Sequence, residues 1–176
     1  MRYAERMYTK RIDYLQKLRT HVAKKGAKNI VYLDESGFDG KAYRDSGWAK
    51  IGQKIHGERS GKRWLRTSLL MAQVGKTWIA PMLFSGTCNT KIFNTWLEKM
   101  LLPELAPNQT IVMDNAAIHN SQKTIEILEK AGHEILFLPP YSPDFNPIEQ
   151  SFGILKRRLN YAPKGTTLDE LLSCKC

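Results

Sequence analysis

The segment between residues 111 and 138 constrains the fold more than any other part of the chain. Two apolar runs, Ile111–Met113 and Ile135–Leu138, flank a stretch with helical spacing that Ser121 can cap and Gly132 can end. A strand, a helix and a second strand in this order require a parallel strand pair with a right-handed crossover. This unit therefore predicts an α/β fold.

Two β-rich runs earlier in the chain predict an antiparallel hairpin. They extend from Trp64 to Val74 and from Thr77 to Phe84, and Gly75 with Lys76 forms the turn. We therefore expect a mixed sheet, with antiparallel first strands and then parallel strands, flanked by helices. The other predicted elements are a basic helix from Tyr3 to Lys25, a strand from Asn29 to Phe38, a helix capped by Asn89 or Thr90 and disturbed by Pro103, and a last helix with Asn146 as cap and Pro147 as first residue.

Length and charge set the broad class of protein. The 176 residues suffice for one domain with a real core. The 27 Lys and Arg residues against 17 Asp and Glu give a formal net charge of +10, which favours a polyanionic partner without identifying it. No apolar stretch can span a bilayer or act as a signal, and Cys88, Cys174 and Cys176 form neither a disulfide framework nor a zinc pattern. We therefore expect a cytoplasmic protein with no membrane partner.

Three carboxylates stand at places where α/β proteins gather their chemistry. Asp34 ends the apolar run that begins at Ile30, and Asp114 ends the run at Ile111–Met113. Glu149 follows a rigid proline-rich segment and opens the last predicted helix. Because sites form at the carboxyl ends of strands in open sheets, these acids can converge on divalent metal, and carboxylate oxygens suit Mg²⁺. Two such ions can clamp the oxygens of a phosphoryl transfer.

Each acid has an alternative interpretation. Asp34 can simply end a strand, and Glu35 competes with it, since neighbouring strand residues point to opposite faces and the pattern does not settle which face is inward. Glu149 lies three residues after Asn146, where a Glu can reach back to the cap N–H without any catalytic role. Asp144 is a further carboxylate in the loop before the helix.

Three sequence blocks resemble the catalytic blocks of mariner-like DDE transposases, with the closest resemblance to the bacterial insertion-sequence branch of that superfamily. They are Leu33–Phe38 (LDESGF), Met113–His119 (MDNAAIH) and Leu138–Glu149 (LPPYSPDFNPIE). The third block, with its Asn-Pro-Ile-Glu ending, is the most specific of the three. The resemblance covers roughly Asn29 to Asn160.

The resemblance implies an RNase H-like fold and DNA cutting and joining that depends on Mg²⁺ or Mn²⁺. It assigns two ions to Asp34, Asp114 and Glu149, and it selects Asp34 over Glu35. The implied reaction is phosphodiester hydrolysis followed by strand transfer, without a covalent protein–DNA intermediate. Transposon ends and target DNA are the implied partners. A preference for TA targets is also implied, and the easy deformation of TA steps gives it a physical basis.

Other residues are candidates for supporting roles. Asn115 and His119 follow Asp114 closely enough to orient groups near the ions, although a structural role for His119 is equally consistent with the sequence. A Gly-containing stretch after the first strand and a basic run on the last helix are candidate DNA contacts. For these stretches the alternatives are core packing of the Trp and a solvated basic face. The DNA-binding candidates are Arg44, Trp48, Lys50, Lys156, Arg157 and Arg158.

We predict a basic linker helix over residues 1–28, a DDE catalytic domain over 29–162 and a tail over 163–176. Relatives carry helix-turn-helix domains ahead of the catalytic domain, whereas only the Tyr3–Lys25 helix precedes the first strand here. We therefore expect a transposase catalytic domain without its DNA-recognition domain, either as a truncated reading frame or as half of a frameshifted gene. A second copy of the chain and a separate helix-turn-helix domain are candidate partners, and the expected location is the nucleoid. Two other classes remain open, a different RNase H-like nuclease and a non-catalytic DNA-binding remnant of a decayed element.

Overall fold

A five-stranded mixed sheet organises the residues that the computed structural model describes, which are 8–39, 50–54, 66–163 and 165–173. The strand order across the sheet is β3-β2-β1-β4-β5. The strands are β1 (Ile30–Asp39), β2 (Arg66–Val74), β3 (Thr77–Ser85), β4 (Thr110–Met113) and β5 (Glu134–Phe137).

Strand directions confirm the predicted mixed sheet. Strand β2 pairs antiparallel with both β1 and β3, and Val74 faces Thr77 across the tight turn at Gly75, whose φ of 58° suits glycine. Strands β1, β4 and β5 are parallel. The crossover between β4 and β5 contains the helix that begins after the Ser121 cap, as predicted.

Helices cover both faces of the sheet. None of the helices in the described ranges is both long and apolar enough to cross a membrane. The predicted start of the first helix at Tyr3 and of the second strand at Trp64 lies outside the described residues. The helices are α1 (Tyr8–Lys25), α2 (Thr90–Trp96), α3 (Leu102–Glu104), α4 (Gln122–Lys130), α5 (Ile148–Tyr161) and α6 (Leu168–Ser173).

Alternation along β1 divides the core into two layers. Val31 and Leu33 pack with the side chains of α2 and α4 on one face. Phe38 packs with α5 and α6 on the other face, and Ile30 packs there with α1. Because helices bury both faces, the strands read as nearly continuous apolar runs rather than as alternating ones. Asp34 lies on the face of α1 and α5, since it is an even number of residues from Ile30 and Phe38.

The segment expected as a C-terminal tail contains α6. Its Leu168 is buried in the same cluster as Phe152 and Leu155 of α5. At the other end of the chain, Tyr14 of α1 is buried against Leu136 and other residues of the central strands. Both α1 and α6 therefore pack on the sheet that residues 30–137 form.

The helix after β3 begins as predicted and then becomes irregular. Asn89 caps α2, because its side chain accepts a hydrogen bond of 2.9 Å from the Ile92 N–H. A π-helical turn, Leu97–Leu101, follows α2 and leads into α3. Pro103 has no N–H to donate into this turn, which accounts for the loss of regular helix before it.

We expect Asn89→Ala to lower the free energy of unfolding by about 1 kcal/mol, because the Ile92 N–H then loses its partner. Urea denaturation measures this change. The control is Asn120→Ala, because Asn120 is exposed and its side chain caps no helix start in the described chain. Equal stability of the two variants would contradict the capping role.

Candidate active site

The register of the parallel strands places two predicted acids side by side. Tyr32 of β1 pairs with Val112 of β4, and Asp34 and Asp114 each lie two residues further along. Side chains repeat their direction every second residue, so both acids are directed to the face that α5 covers. Glu35 is directed to the opposite face, as the alternation predicted.

Glu149 reaches the same place from α5. Ile148, Phe152 and Leu155 are buried against the sheet and hold the start of this helix beside β1. Glu149 itself is exposed in the first turn. The three acids therefore line one cavity of about 610 Å³, whose other lining residues are Asn115, Ala116, Leu138, Pro139, Pro140, Tyr141, Ser142, Pro143 and Asn146.

Asp34 is the most buried acid of the cavity, and both of its oxygens accept hydrogen bonds. The Glu35 N–H donates to Oδ1 at 2.7 Å, and the Asn146 side-chain amide donates to Oδ2 at 2.9 Å. Burial, followed by the charges of Glu149 and Asp114, raises the pKa of Asp34 from 3.8 to about 7, although the Glu35 N–H lowers it. Negative charge is thus concentrated at this end of the cavity.

His119 holds Asp114. The buried ring donates a hydrogen bond from Nδ1 to Oδ1 of Asp114, and the Ala116 N–H donates to the same oxygen at 3.1 Å. Burial acts to raise the pKa of Asp114, but the hydrogen bond and charge of His119 lower it overall. The ring also packs on Phe93, with 4.5 Å between centroids. His119 therefore combines the two predicted roles: its ring is packed in the core, and it orients an acid of the cavity.

The prediction that the Asn146 side chain caps the last helix is wrong. Helix α5 begins at Ile148 after Pro147, no side chain caps it, and the buried Asn146 amide points to Asp34 instead. The capping explanation for Glu149 therefore fails as well. An Asn before Pro at a helix start has the sequence pattern of a cap. Its hydrogen bond to Asp34, 112 residues away in the chain, leaves no local pattern from which it could have been predicted.

The proline-rich segment carries a strained turn at the cavity. Tyr141 is 55% exposed and has a φ of 53°, which is uncommon for a residue with a side chain. Ser142 is buried and donates from Oγ to the Pro140 carbonyl at 3.1 Å. A short 3₁₀ turn, Pro143–Phe145, then leads to Asn146. Sequence reasoning identified this segment as rigid but missed Ser142 and Asn146 as parts of the site.

The remaining candidates lie around the cavity or away from it. Asn115 is exposed on the cavity wall. On α5, Lys156 and Arg157 are exposed and Arg158 is half-buried, and the Lys156 ammonium lies 5.6 Å from the Phe38 ring centroid. Lys50 is exposed, whereas Arg44 and Trp48 fall outside the described residues.

Glu35 belongs to another environment. It does not line the cavity, and one of its oxygens is buried without a hydrogen-bond partner among the described residues. Burial, and then the nearby Glu35 carboxylate, raise the pKa of Cys88 to about 12. Cys88 lies in the core layer of α2 and α4. Glu35 is therefore separated from Asp34 by the sheet itself.

The donor chemistry of the cavity fits a divalent cation. Asp34, Asp114 and Glu149 supply hard carboxylate oxygens, and burial, followed by the charges of Glu149 and Asp114, raises the pKa of Asp34, costs that a bound cation would offset. In the described ranges, however, no three His, Cys, Asp or Glu side chains are already grouped tightly enough to hold a metal ion. Side-chain rotation is therefore needed to bring the three carboxylates together around an ion.

Comparison with solved structures finds the same fold in Mos1. The Mos1 strand transfer complex has a TM-score of 0.80 at 21% identity, over 100% of this chain and 56% of that chain. The mariner Mos1 paired end complex with Mg has a TM-score of 0.81 at 20% identity, over 99% and 58%. The catalytic domain of Mos1 mariner transposase has a TM-score of 0.71 at 17% identity, over 100% and 86%.

This chain thus spans a little more than half the length of the Mos1 chains in those two complexes. No curated protein matches it. A family profile described as DDE superfamily endonuclease matches residues 29–172, a range that includes the strands, the proline-rich segment and all three acids. The fold, the acid-lined cavity and this match lead to one conclusion: the chain belongs to the DDE superfamily endonucleases.

Proposed function

We propose that this chain is a transposase catalytic domain that cuts and joins DNA strands with divalent metal at the cavity of Asp34, Asp114 and Glu149. One observation carries the proposal. Three acids from three separate sequence blocks, on β1, after β4 and on α5, line the same cavity at the carboxyl edge of the parallel strands. A structural role for any single acid does not explain their meeting there.

Asp34, Asp114 and Glu149 would hold the metal, and we propose two Mg²⁺ or Mn²⁺ ions. The mariner Mos1 paired end complex has been solved with Mg and with Mn, which supports this choice. When bound, such ions activate a hydroxyl nucleophile and stabilise the leaving oxygen of the phosphodiester.

The protein groups around the acids have orienting roles. His119 donates to Asp114 and thereby fixes which oxygen of Asp114 remains for a ligand. Asn146 donates to Oδ2 of Asp34 while the Glu35 N–H donates to Oδ1, so these two bonds hold the orientation of that carboxylate. Glu149, at the exposed start of α5, has room to turn toward the two aspartates. The site is thus built from two carboxylates held by hydrogen bonds and one exposed carboxylate.

DNA is the proposed substrate. The formal charge of +10 supports a polyanionic partner, and Mos1 transposase has been solved in a paired-end complex with the left transposon end. The proline-rich block supports membership of the bacterial insertion-sequence branch. We further propose that a helix-turn-helix domain supplies end recognition and that two copies of the catalytic domain pair, with residues 29–162 as the catalytic unit.

The direct test is nicking of supercoiled plasmid by the purified chain in Mg²⁺, in Mn²⁺ and in EDTA. We expect nicked product with either metal and none in EDTA. The competing substrate is an RNA–DNA hybrid, compared with a DNA duplex of equal length. Preferred cleavage of the hybrid would favour an RNA–DNA hybrid nuclease, and cleavage that persists in EDTA would refute metal-dependent chemistry.

We expect the basic run on α5 to contact phosphates. Changing Lys156, Arg157 and Arg158 together to Gln should weaken binding to transposon-end DNA and to unrelated DNA alike. The slope of log K against log salt concentration should fall in magnitude by about 0.9 for each phosphate that the variant no longer neutralises. Salt titrations of both duplexes, followed by fluorescence anisotropy, measure this slope.

The matched control removes equal charge from the opposite layer of the sheet. Lys91 of α2 and Lys123 and Lys130 of α4 are exposed there, and we expect their change to Gln to leave the slope nearly unchanged. Equally weakened binding in both triple variants would mean that net charge matters and that α5 has no special contact with DNA.

A further inference from the structure

We propose that Arg11 of α1 is a positioning residue for the active site, because it fixes the proline-rich segment that carries Asn146 and leads to Glu149. This inference rests on the proposed function, since it assigns α1 a role in that same cavity. It concerns a helix that the sequence presents only as a basic linker.

Arg11 contacts three parts of the segment. Its guanidinium forms a two-point pair with Asp144, with Nη2–Oδ2 at 2.7 Å and Nη1–Oδ1 at 3.2 Å. Nη1 also donates to the Ser142 hydroxyl at 2.7 Å. The guanidinium carbon lies 3.9 Å from the Phe145 ring centroid, within cation–π distance. One side chain therefore contacts Ser142, Asp144 and Phe145 at once.

The geometry requires arginine. The two-point pair uses the planar fork of the guanidinium, whose carbon also lies over the Phe145 ring. A lysine at this position would keep the charge but lose the fork and the planar contact. The Arg11 side chain is only 16% exposed, so this is a packed contact rather than a loose surface pair.

The helix that carries Arg11 is itself anchored. Tyr14, one turn further along α1, is 3% exposed and also stacks on the Phe145 ring, with 5.4 Å between centroids and 18° between planes. Tyr14 belongs to a buried cluster with Val112 of β4 and Leu136 of β5. Arg11 is thus fixed relative to the strands that position Asp34 and Asp114.

The segment has little internal structure to hold it. Its regular piece is the 3₁₀ turn, in which the Phe145 N–H bonds the Ser142 carbonyl and the Asn146 N–H bonds the Pro143 carbonyl, both at 3.0 Å. The next residue after Phe145 is Asn146, which donates to Asp34, and the Glu149 N–H in turn donates to the Asn146 carbonyl at 3.1 Å. Loss of the Arg11 contacts would therefore loosen both Asn146, which is the partner of Asp34, and Glu149, which is a proposed metal ligand.

The test compares Arg11→Gln with Arg19→Gln, which removes the same charge from an exposed position on the same helix. Hydrogen exchange of the peptide over residues 141–149, without metal, is the first readout. We expect exchange in this peptide to quicken about tenfold for Arg11→Gln only, with the sheet peptides unchanged. Mn²⁺ binding, followed by electron paramagnetic resonance, is the second readout, and we expect affinity to fall between about 10-fold and 100-fold.

Arg11→Lys is the second variant, in case Arg11→Gln does not fold. We expect it to exchange at a rate between those of the wild type and of a freely exchanging segment. Unchanged exchange and unchanged Mn²⁺ affinity in the folded Arg11 variants would overturn the inference. Failure of the wild type to bind Mn²⁺ would instead count against the proposed function. Hydrogen exchange over residues 141–149 would still test whether Arg11 fixes this segment.

Discussion

Asp114→Asn should abolish DNA cleavage and leave the protein folded. The change keeps the size of the side chain, and its remaining oxygen can still accept the hydrogen bond from His119. It removes the charge that a divalent cation needs. A bound metal contributes roughly 4 kcal/mol of transition-state stabilisation, and since a factor of ten corresponds to about 1.4 kcal/mol, we expect a loss of about a thousandfold. Single-turnover nicking of plasmid DNA in Mg²⁺ measures it.

Glu35→Gln is the matched control for this experiment. Glu35 is the acid adjacent to Asp34 on β1, but it lies on the other face of the sheet and does not line the cavity. We expect its change to reduce the nicking rate less than about tenfold, through packing near Cys88 alone. A severe loss in Glu35→Gln together with an active Asp114→Asn variant would show that the wrong face has been assigned to catalysis.

Asp34→Asn should make the metal-free protein more stable at neutral and alkaline pH. The pKa of Asp34 is raised from 3.8 to about 7 in the folded state, first by burial and then by the neighbouring acids. The folded protein therefore holds this proton more tightly than the unfolded chain does. This tighter binding of the Asp34 proton stabilises the folded state fully below about pH 3.8, and the stabilisation is lost as pH rises to about 7.

Urea denaturation in EDTA at pH 5 and at pH 8 measures this effect. At pH 8 we expect the free energy of unfolding of Asp34→Asn to exceed that of the wild type by on the order of 2 kcal/mol. One pKa unit corresponds to about 1.4 kcal/mol, and the full value is discounted because solvent reaches part of this carboxylate. The difference in free energy of unfolding between the two proteins should be smaller at pH 5. Asn146 can flip its amide to accept from the new side chain, because its own oxygen has no partner among the described residues.

Asp13→Asn on α1 is the control, because Asp13 and its ion-pair partner Lys17, one helical turn away, are both exposed and such surface pairs contribute little to stability. We expect no comparable pH-dependent gain in that variant. A wild-type protein that becomes more stable between pH 5 and pH 8 in EDTA, with Asp34→Asn following the same curve, would contradict the description of Asp34 as a strained carboxylate.

Much of the architecture was readable from the chain because it depends on local patterns. The strand–helix–strand unit around α4 has caps and apolar spacing that leave one arrangement of β4 and β5. Asp114 directly follows β4, as the end of its apolar run predicted, whereas Asp34 ends an apolar run within β1, which continues to Asp39 in its pairing with β2. Their meeting on one face then follows from the pairing of Tyr32 with Val112.

What sequence could not supply are the contacts between distant segments. Asn146 has the local features of a helix cap, and only the position of β1 beside α5 turns its amide to Asp34. Arg11 looks like one more cation of a basic helix, but it reaches Ser142 and Asp144 more than 130 residues away. Such partners depend on the packed sheet and have no periodic signature of their own.

A crystal structure of the chain with Mn²⁺, with the ion located by its anomalous scattering, would show directly whether Asp34, Asp114 and Glu149 form a metal site. We expect anomalous density bounded by the carboxylates of Asp34, Asp114 and Glu149, with Glu149 turned toward the two aspartates and Asn146 still bonded to Asp34. Density confined to other parts of the protein, with Glu149 directed away from a well-ordered cavity, would contradict the assignment of these three acids as the metal site.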